Sequence, residues 1–168
     1  MKCGMKERLL AVVVLALAAA CNQTDDLKDA ANAGKYPLVA KNGLRRLAET
    51  NATVVGVLND VQPPYIYASF RDGKLEWSTD PQRRSMIQGQ ADVYSRPEMT
   101  CLGFEYARLS TPGRAERYLV CEALAPLHVT NALPRSQQFT FPVGALFLQY
   151  EPPKGAGFPQ YYYLSFPK

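Results

Sequence analysis

A tight turn between two strand-like segments is the feature that most restricts how this chain of 168 residues can fold. The segments 65–70 and 74–78 flank Asp72-Gly73, a dipeptide that strongly favours a two-residue hairpin turn. The register set by this turn places five apolar residues on one face: Ile66, Ala68, Phe70, Leu75 and Trp77. The other face is more polar and carries Tyr65, Tyr67, Ser69, Glu76 and Ser78. Because the turn and the alternation agree, we predict a β-hairpin whose apolar face lies in the core.

Other segments share this strand-like composition of aromatic and β-branched residues, and Pro- or Gly-containing turns separate several of them. They are 53–58, 101–109, 117–124, 139–143, 145–150 and 160–166. Residues 79–98 show no sustained period apart from 91–94. This stretch therefore predicts a long connection that contains one short strand.

One segment has a helical pattern instead. Between Pro37 and Asn51, four apolar residues recur at helical spacing on one face: Ala40, Leu44, Leu47 and Ala48. One short helix and six to eight strands predict a mostly β fold, either a β-sandwich or a curled antiparallel sheet. The short N-terminal helix is expected to pack on that sheet.

The first 20 residues have the pattern of an export signal. Residues 1–8 carry a net positive charge, and residues 9–20 are an unbroken run of Leu, Val and Ala. A helix made of that run would span about 18 Å, which is too short for a hydrocarbon core of about 30 Å. We therefore predict that residues 1–20 form a signal peptide and not a membrane anchor.

Three small residues, Ala18 to Ala20, run directly into Cys21. This junction resembles the lipobox of bacterial lipoproteins, although Ala18 replaces the usual Leu and Leu17 lies one position earlier. The resemblance covers residues 1–22 only. It implies cleavage before Cys21 and lipid on its thiol and new N-terminus, through which the protein would bind the membrane. The alternative is an ordinary cleaved leader with Cys21 free.

The residue after the cysteine bears on location. Enteric lipoproteins retained at the inner membrane have Asp there, whereas this chain has Asn22, so the resemblance implies a lipid anchor in the bacterial outer membrane. Residues 21–35 are polar and lack an apolar period, which predicts a lipidated flexible tether. Residues 36–168 then form a single β-rich globular domain that faces the periplasm or the cell surface.

Two cysteines remain after the leader is removed and lipid is attached: Cys101 and Cys121. In an oxidising compartment we predict a disulfide between them, which closes a loop of about 20 residues and contributes about 3 kcal/mol in the chain-entropy model. A tight Pro-Gly turn at 111–113 would place Cys101 opposite Leu124. The disulfide therefore requires a looser loop, a bulge or pairing between different strands.

The charge of the chain is modest. The formal net charge is +4, and the leader accounts for half of it, so the remainder has 16 basic and 14 acidic residues. This balance does not predict a nucleic-acid partner. The sequence also has no metal-ligand motif, so we predict no metal and no cofactor.

Residues that could support catalysis are few. His128 is the only histidine and lies in an apolar run, where a packed or solvated ring is more usual than a catalytic base. Three glutamates lie near the two cysteines: Glu105, Glu116 and Glu122. Two of them would have to face each other for glycoside hydrolysis, and solvated charges are the favoured interpretation. We therefore predict that the protein is not an enzyme.

Tyrosine and arginine offer a binding surface instead. The chain has ten tyrosines, whose rings give large contact areas with a hydrogen-bonding tip, and several arginine pairs that suit anionic partners. The candidate binding residues are Tyr65, Tyr67, Arg83, Arg84, Tyr161 and Tyr163. The alternative is that alternate tyrosines fill the core and that the arginines are solvated.

These features favour a non-enzymatic outer-membrane lipoprotein that binds another envelope protein or macromolecule as an assembly or scaffold component. One alternative is an immunity or inhibitor lipoprotein that blocks a cell-wall-degrading enzyme or toxin through a projecting segment, for which 79–98 and 151–159 are candidates. A second alternative is an enzyme that acts on glycan or peptidoglycan.

Overall fold

A computed structural model describes residues 36–40, 42–58, 61–107, 114–131 and 136–167, with the backbone alone described at 61–65. The predicted signal peptide, Cys21 and the tether lie outside these residues. The described part contains one helix, α1 (Gly43–Glu49). Its strands are β1 (Thr53–Leu58), β2 (Val61–Arg71), β3 (Lys74–Ser78), β4 (Ile87–Gln90), β5 (Asp92–Arg96), β6 (Met99–Ala107), β7 (Ala115–Ala123), β8 (Leu127–Asn131), β9 (Gln137–Phe141), β10 (Leu146–Glu151) and β11 (Gln160–Ser165). None of the described helical residues forms a segment long and apolar enough to cross a membrane.

Nine strands form one antiparallel sheet that is nearly closed into a barrel, in the order β4-β3-β2-β1-β11-β10-β7-β6-β5. Its two edge strands, β4 and β5, are consecutive in the chain, and only Ala91 separates them. The strand β4 also packs against β6, since a Cβ atom added at Gly89 would lie 2.5 Å from the ring of Phe104. One extended segment thus passes from one edge of the sheet to the other and draws the edges together.

This architecture confirms the predicted mostly β fold with one short helix. The expected strand number was too low, because the described residues contain eleven strands. Residues 79–98 were predicted as a long connection with one short strand, and the structure has two strands there, β4 and β5. The strand β5 covers most of the period at 91–94, whereas β4 was not predicted. The β4 sequence, Ile-Gln-Gly-Gln, has a single large apolar residue, so no strand-like hydrophobic run marks it.

The predicted hairpin is confirmed in its register. Phe70 pairs with Leu75 and Ala68 pairs with Trp77 across β2 and β3. Asp72 and Gly73 both have positive φ, at 49° and 76°, as a turn matched to the strand twist requires. The five residues predicted for its apolar face are all buried.

A ring contact shows which face of the sheet lies inside. Trp77 on β3 and Tyr118 on β7 have ring centroids 5.4 Å apart, although these strands are not neighbours in the sheet. The contact therefore crosses the barrel interior. Strand pairing places further buried residues on the same inward face: Val54, Ile66, Ala68, Phe70, Leu75, Phe104, Val120, Leu146, Leu148, Tyr162 and Leu164.

The helix α1 covers one end of this barrel. Leu44 and Leu47 are buried, and a Cβ atom at Gly43 would lie 2.6 Å from a methyl group of Leu146 at the start of β10. The backbone N–H of Leu44 donates to a carboxylate oxygen of Glu122, near the end of β7, at 3.2 Å. We call this the closed end of the barrel.

The remaining two strands, β8 and β9, form a hairpin on the outer face of the sheet. Its Phe139 and Phe141 are buried, with ring centroids 4.9 Å from Tyr163 and 4.5 Å from Phe147, respectively. The side chain of Asn131 accepts from the backbone N–H of Tyr161 and donates to its carbonyl, both at 2.8 Å. A strand at Leu127–Asn131 was not predicted, because its residues alternate without a strong apolar face.

A disulfide joins Cys101 and Cys121, the pair predicted from the sequence, on the outer face of the sheet. The two residues are directly opposite each other in the ladder of β6 and β7. Because β6 ends at Ala107 and β7 begins at Ala115, the connection is longer than a two-residue Pro-Gly turn. The pairing therefore satisfies the requirement for a looser loop.

Candidate ligand cavity at the open end of the barrel

A cavity of about 700 Å³ opens at the end of the barrel opposite α1. The described residues that line it are Ile66, Trp77, Ser78, Thr79, Ser85, Met86, Ile87, Tyr106, Tyr118, Tyr150, Gln160 and Tyr162. This volume falls within the range of about 300–1,000 Å³ that is usual for small-ligand sites. We call it the aromatic cavity, because four tyrosines and the only tryptophan of the chain contribute to it.

The floor of the aromatic cavity is built around Tyr118. Its ring lies 5.4 Å from Trp77, 5.4 Å from Phe104 and 5.2 Å from Tyr150, measured between centroids. Tyr118 and Tyr150 are direct partners in the ladder of β7 and β10, which fixes their side chains on the same face. Trp77 is only 2% exposed. These contacts hold the rings in place from four different strands.

The rim of the cavity is formed by the loop 79–86 between β3 and β4, which we call the rim loop. Ser78 Oγ donates to the carbonyl of Ser85 at 2.7 Å and accepts from the backbone N–H of Asp80 at 3.0 Å. Arg84 forms an ion pair of 2.9 Å with Asp80 and lowers the pKa of that carboxyl group, chiefly through its hydrogen bond. These internal bonds hold the rim loop beside the cavity, where Met86 is 45% exposed.

Two hydrogen bonds orient tyrosine hydroxyls in or beside the cavity. Tyr162 Oη donates to Gln160 Oε1 at 2.7 Å, and burial raises the pKa of Tyr162 to about 12, with Tyr150 adding to the effect. Tyr118 Oη donates to the carboxylate of Glu116, which is itself buried. The described residues that line the cavity all have side chains of types that are uncharged near neutral pH.

A second arrangement lies on the outer face of the sheet. Arg117 on β7 forms ion pairs of 2.7 Å with Glu105 and 3.3 Å with Glu151, and Glu151 also pairs with Arg96 at 2.6 Å. The guanidinium of Arg117 lies 5.5 Å from the centroid of the Tyr94 ring. The hydrogen bond to Glu105 is the main cause of the raised pKa of Arg117. We call this set the outer charge ladder, and its positive and negative charges alternate.

The sequence-predicted binding residues whose side chains the structure describes lie elsewhere than in the aromatic cavity. The side chain of Tyr65 is outside the described part. Tyr67, Tyr161 and Tyr163 are half-buried on the outer face, and Tyr163 packs against Phe139 of the β8–β9 hairpin.

The two arginines of the predicted set lie on the rim loop. Arg83 donates to Thr53 Oγ1 at 3.1 Å, on the outer face, and Arg84 pairs with Asp80. The structure does not bring these residues and the predicted tyrosines into one cluster among the described contacts.

Sequence reasoning missed most of the residues of the aromatic cavity. Tyr106, Tyr118 and Tyr150 lie in segments that were predicted as strands, but nothing local indicated that their side chains share one interior. The run at 161–163 carried a usable signal, because alternation must place Tyr162 opposite its two neighbours. The alternation places Tyr162 on one face of the strand and its neighbours on the other, but it does not show which face lies inside the barrel.

The residues considered for catalysis contact different partners in different parts of the structure. His128 is exposed on β8, with Nδ1 3.2 Å from Thr140 Oγ1. Glu105 belongs to the outer charge ladder, and Glu116 accepts from Tyr118 Oη. Glu122 accepts a hydrogen bond from the backbone N–H of Leu44 in α1. Within the described ranges, no cluster of three or more His, Cys, Asp or Glu residues could hold a metal ion.

Comparison of the chain with protein-family models, with curated proteins and with solved structures gives no match. The class of this protein is therefore defined by its fold and its cavity. They describe an antiparallel sheet nearly closed into a barrel, covered by a helix at one end and open to an aromatic cavity at the other.

Proposed function

We propose that this protein is a non-enzymatic lipoprotein of the bacterial outer membrane that binds a segment of another envelope macromolecule in the aromatic cavity. The observation that carries the proposal is the cavity itself, because fixed aromatic rings and convergent hydroxyl groups are the usual lining of a ligand site. A barrel of this size has an interior just wide enough to be filled by side chains or to hold one small ligand.

The location rests on the sequence. The signal peptide at 1–20 and the lipobox-like junction at Cys21 support export and attachment of lipid, and Asn22 supports the outer membrane. Two or three acyl chains hold a protein firmly, whereas a single chain gives only marginal membrane binding. Replacement of Cys21 by serine should therefore release the protein from membranes or block its processing, as cell fractionation and lipid labelling would reveal. Unchanged lipid labelling would contradict the anchor.

An immunity or inhibitor function remains a second candidate because of one exposed side chain. Phe158 is 71% exposed in the segment between β10 and β11, and together with Val129, Pro159 and Tyr161 it borders a small hollow of about 330 Å³. An exposed aromatic ring on a surface segment suits insertion into a partner's pocket. This candidate uses the outside of the molecule, so the two functions make different predictions for contact sites.

Site-specific photocrosslinking in living cells separates them. A photoreactive residue at Met86 samples the cavity rim, one at Phe158 samples the exposed segment, and one at Val93, which is 69% exposed on β5, serves as a control. We expect an adduct at Met86 whose yield falls when Tyr106 is replaced by alanine. Adducts at Phe158 alone, with a hydrolase or toxin as the partner, would favour the inhibitor. Equal adducts at Met86 and Val93 would contradict a cavity-based function.

A further inference from the structure

We infer that the ligand of the aromatic cavity is a neutral saccharide segment, an inference that rests on the proposed binding function. Three properties of the described lining point to this chemistry: side-chain types that are uncharged near neutral pH, abundant hydroxyl groups, and aromatic rings that remain partly accessible. The first property disfavours charged ligands, the second disfavours hydrocarbon ligands, and the third favours a flat ring with an apolar face.

The first property concerns charge. The described lining combines hydroxyl, amide, indole, thioether and hydrocarbon groups. A charged ligand would lose its hydration on entering and would find no opposite charge among these groups to compensate for the loss. Glu116, a buried carboxylate beside the cavity, accepts from Tyr118 Oη and is not one of the described lining residues. The lining therefore suits a neutral ligand, or a neutral part of a larger one.

The second property concerns hydrogen bonding. Seven of the twelve described lining residues carry a hydroxyl group, and Gln160 adds an amide. Those of Ser78, Tyr118 and Tyr162 are hydrogen-bonded within the protein, whereas Thr79, Ser85 and Tyr106 are exposed or half-buried. A purely hydrocarbon ligand would cover these accessible hydroxyl groups without replacing their hydrogen bonds to water, which costs free energy for each group left unpaired. A ligand with many hydroxyl groups of its own restores those bonds.

The third property concerns shape. Tyr106 and Tyr150 are half-buried, so part of each ring is accessible at the mouth, while Trp77 and Tyr118 beneath them are buried. The C–H face of a pyranose ring is flat and apolar, and its rim is polar. It can therefore pack on an aromatic ring while its hydroxyl groups reach the tyrosine, serine and threonine hydroxyls around it.

Binding can be measured through Trp77, because it is the only tryptophan of the chain and it lines the cavity. The mature soluble domain, with Cys21 replaced by serine, is titrated with the N-acetylglucosamine trimer and with maltotriose, both neutral. The glucosamine trimer, with the sugar rings of the first probe but positively charged, and decanol, a hydrocarbon chain, are the matched controls. We expect a saturable change in Trp77 emission with at least one neutral trimer, and a much weaker response to both controls.

Two variants locate the binding. Tyr106→Ala removes an accessible ring from the mouth and should weaken neutral-trimer binding about tenfold. Tyr67→Ala removes a tyrosine from the outer face of β2 and should leave binding unchanged. Circular dichroism of both variants shows whether the fold is retained, and isothermal titration calorimetry confirms the affinity without relying on fluorescence.

The outcomes separate this inference from the function on which it rests. Saturable binding of decanol but of neither neutral trimer would overturn the saccharide and keep the cavity as a binding site. Absence of binding by all four probes, together with Met86 adducts that depend on Tyr106, would also overturn the saccharide and leave the proposed function standing. Trimer binding that Tyr106→Ala leaves unaltered would place the site outside the cavity and overturn the inference.

Discussion

The two ends of the barrel are made by the same strands but have different interiors. At the closed end, aliphatic side chains and the helix α1 exclude water, and Leu146, Leu148 and Leu164 are fully buried. At the open end, tyrosines surround a cavity of about 700 Å³. The difference indicates that packing at one end stabilises the fold, which leaves the other end available for a ligand.

This difference runs along individual strands. Two neighbouring strands change from aliphatic to polar or aromatic inward residues in the same direction. From the closed end to the open end these are Leu146, Leu148 and Tyr150 in β10, and Leu164, Tyr162 and Gln160 in β11. On β7, Glu122, whose carboxylate accepts from the helix, lies opposite Leu146, and Val120, Tyr118 and Glu116 follow it. Residues two apart in a strand share a face, so the residue type chosen at each successive inward position is enough to build this gradient.

The largest expected effect is at the closed end. Leu146→Ala should destabilise the fold by about 3–4 kcal/mol, because the lost methyl groups leave an enclosed cavity beneath α1. Urea denaturation followed by circular dichroism measures the free energy of unfolding. Val143→Ala, at a position that is 56% exposed just before β10, is the control and should change stability by less than about 0.5 kcal/mol. A loss below about 1 kcal/mol for Leu146→Ala would mean that the closed end is not tightly packed.

The open end should be the more sensitive to alkali. Burial raises the pKa of Tyr162 from the ordinary 10.0 to about 12, so the folded state favours the neutral phenol. The resulting stability is fully present below pH 10 and is lost as the pH rises through the folded pKa of about 12. The loss amounts to about 3 kcal/mol, since one pKa unit corresponds to about 1.4 kcal/mol.

The measurement is urea denaturation at several pH values for the wild type and for Tyr162→Phe. The variant cannot ionise at this position, so its stability should fall less steeply between pH 10 and 12. Tyrosine absorbance near 295 nm reports ionisation directly. Identical pH dependence of the two proteins would show that Tyr162 does not contribute to alkaline unfolding.

Local sequence signals were sufficient wherever a few adjacent residues decide the structure. Asp72 and Gly73 fix their own turn, and the turn then fixes the pairing of Ala68 with Trp77. The helix was predictable for the same reason, because Leu44 and Leu47 share a face through spacing alone. In both cases the deciding contacts are close in the chain.

The cavity depends instead on contacts between distant segments. Tyr118 meets Trp77 only because the sheet curls until β3 and β7 face each other across the interior. The edges of that sheet are β4 and β5, and the β4 sequence lacks a strand-like apolar run. Composition and local spacing could therefore identify tyrosine as a residue type suited to binding. They could not show which tyrosines lie together in the folded protein.

A smaller effect should follow from the attachment of α1 to the barrel. Glu122→Ala removes the carboxylate that accepts from the Leu44 N–H and should cost about 1–2 kcal/mol. Glu122→Gln retains an acceptor oxygen and should cost less than the alanine variant. Thermal unfolding compares the two variants. If both lose the same stability, the negative charge and not the hydrogen bond holds the helix.

The smallest expected effect on stability is at the rim of the aromatic cavity. Tyr106 is half-buried and borders open space, so Tyr106→Ala enlarges an existing cavity and does not create an enclosed one. Truncation of a core side chain is costly partly because it leaves an enclosed void, and that cost is mostly absent here. We therefore expect the free energy of unfolding, measured by urea denaturation, to fall by no more than about 1 kcal/mol. The same variant should weaken ligand binding, so stability and binding change independently at this end. A stability loss equal to that of Leu146→Ala would mean that the rim belongs to the packed core, and the distinction between the two ends of the barrel would then be wrong.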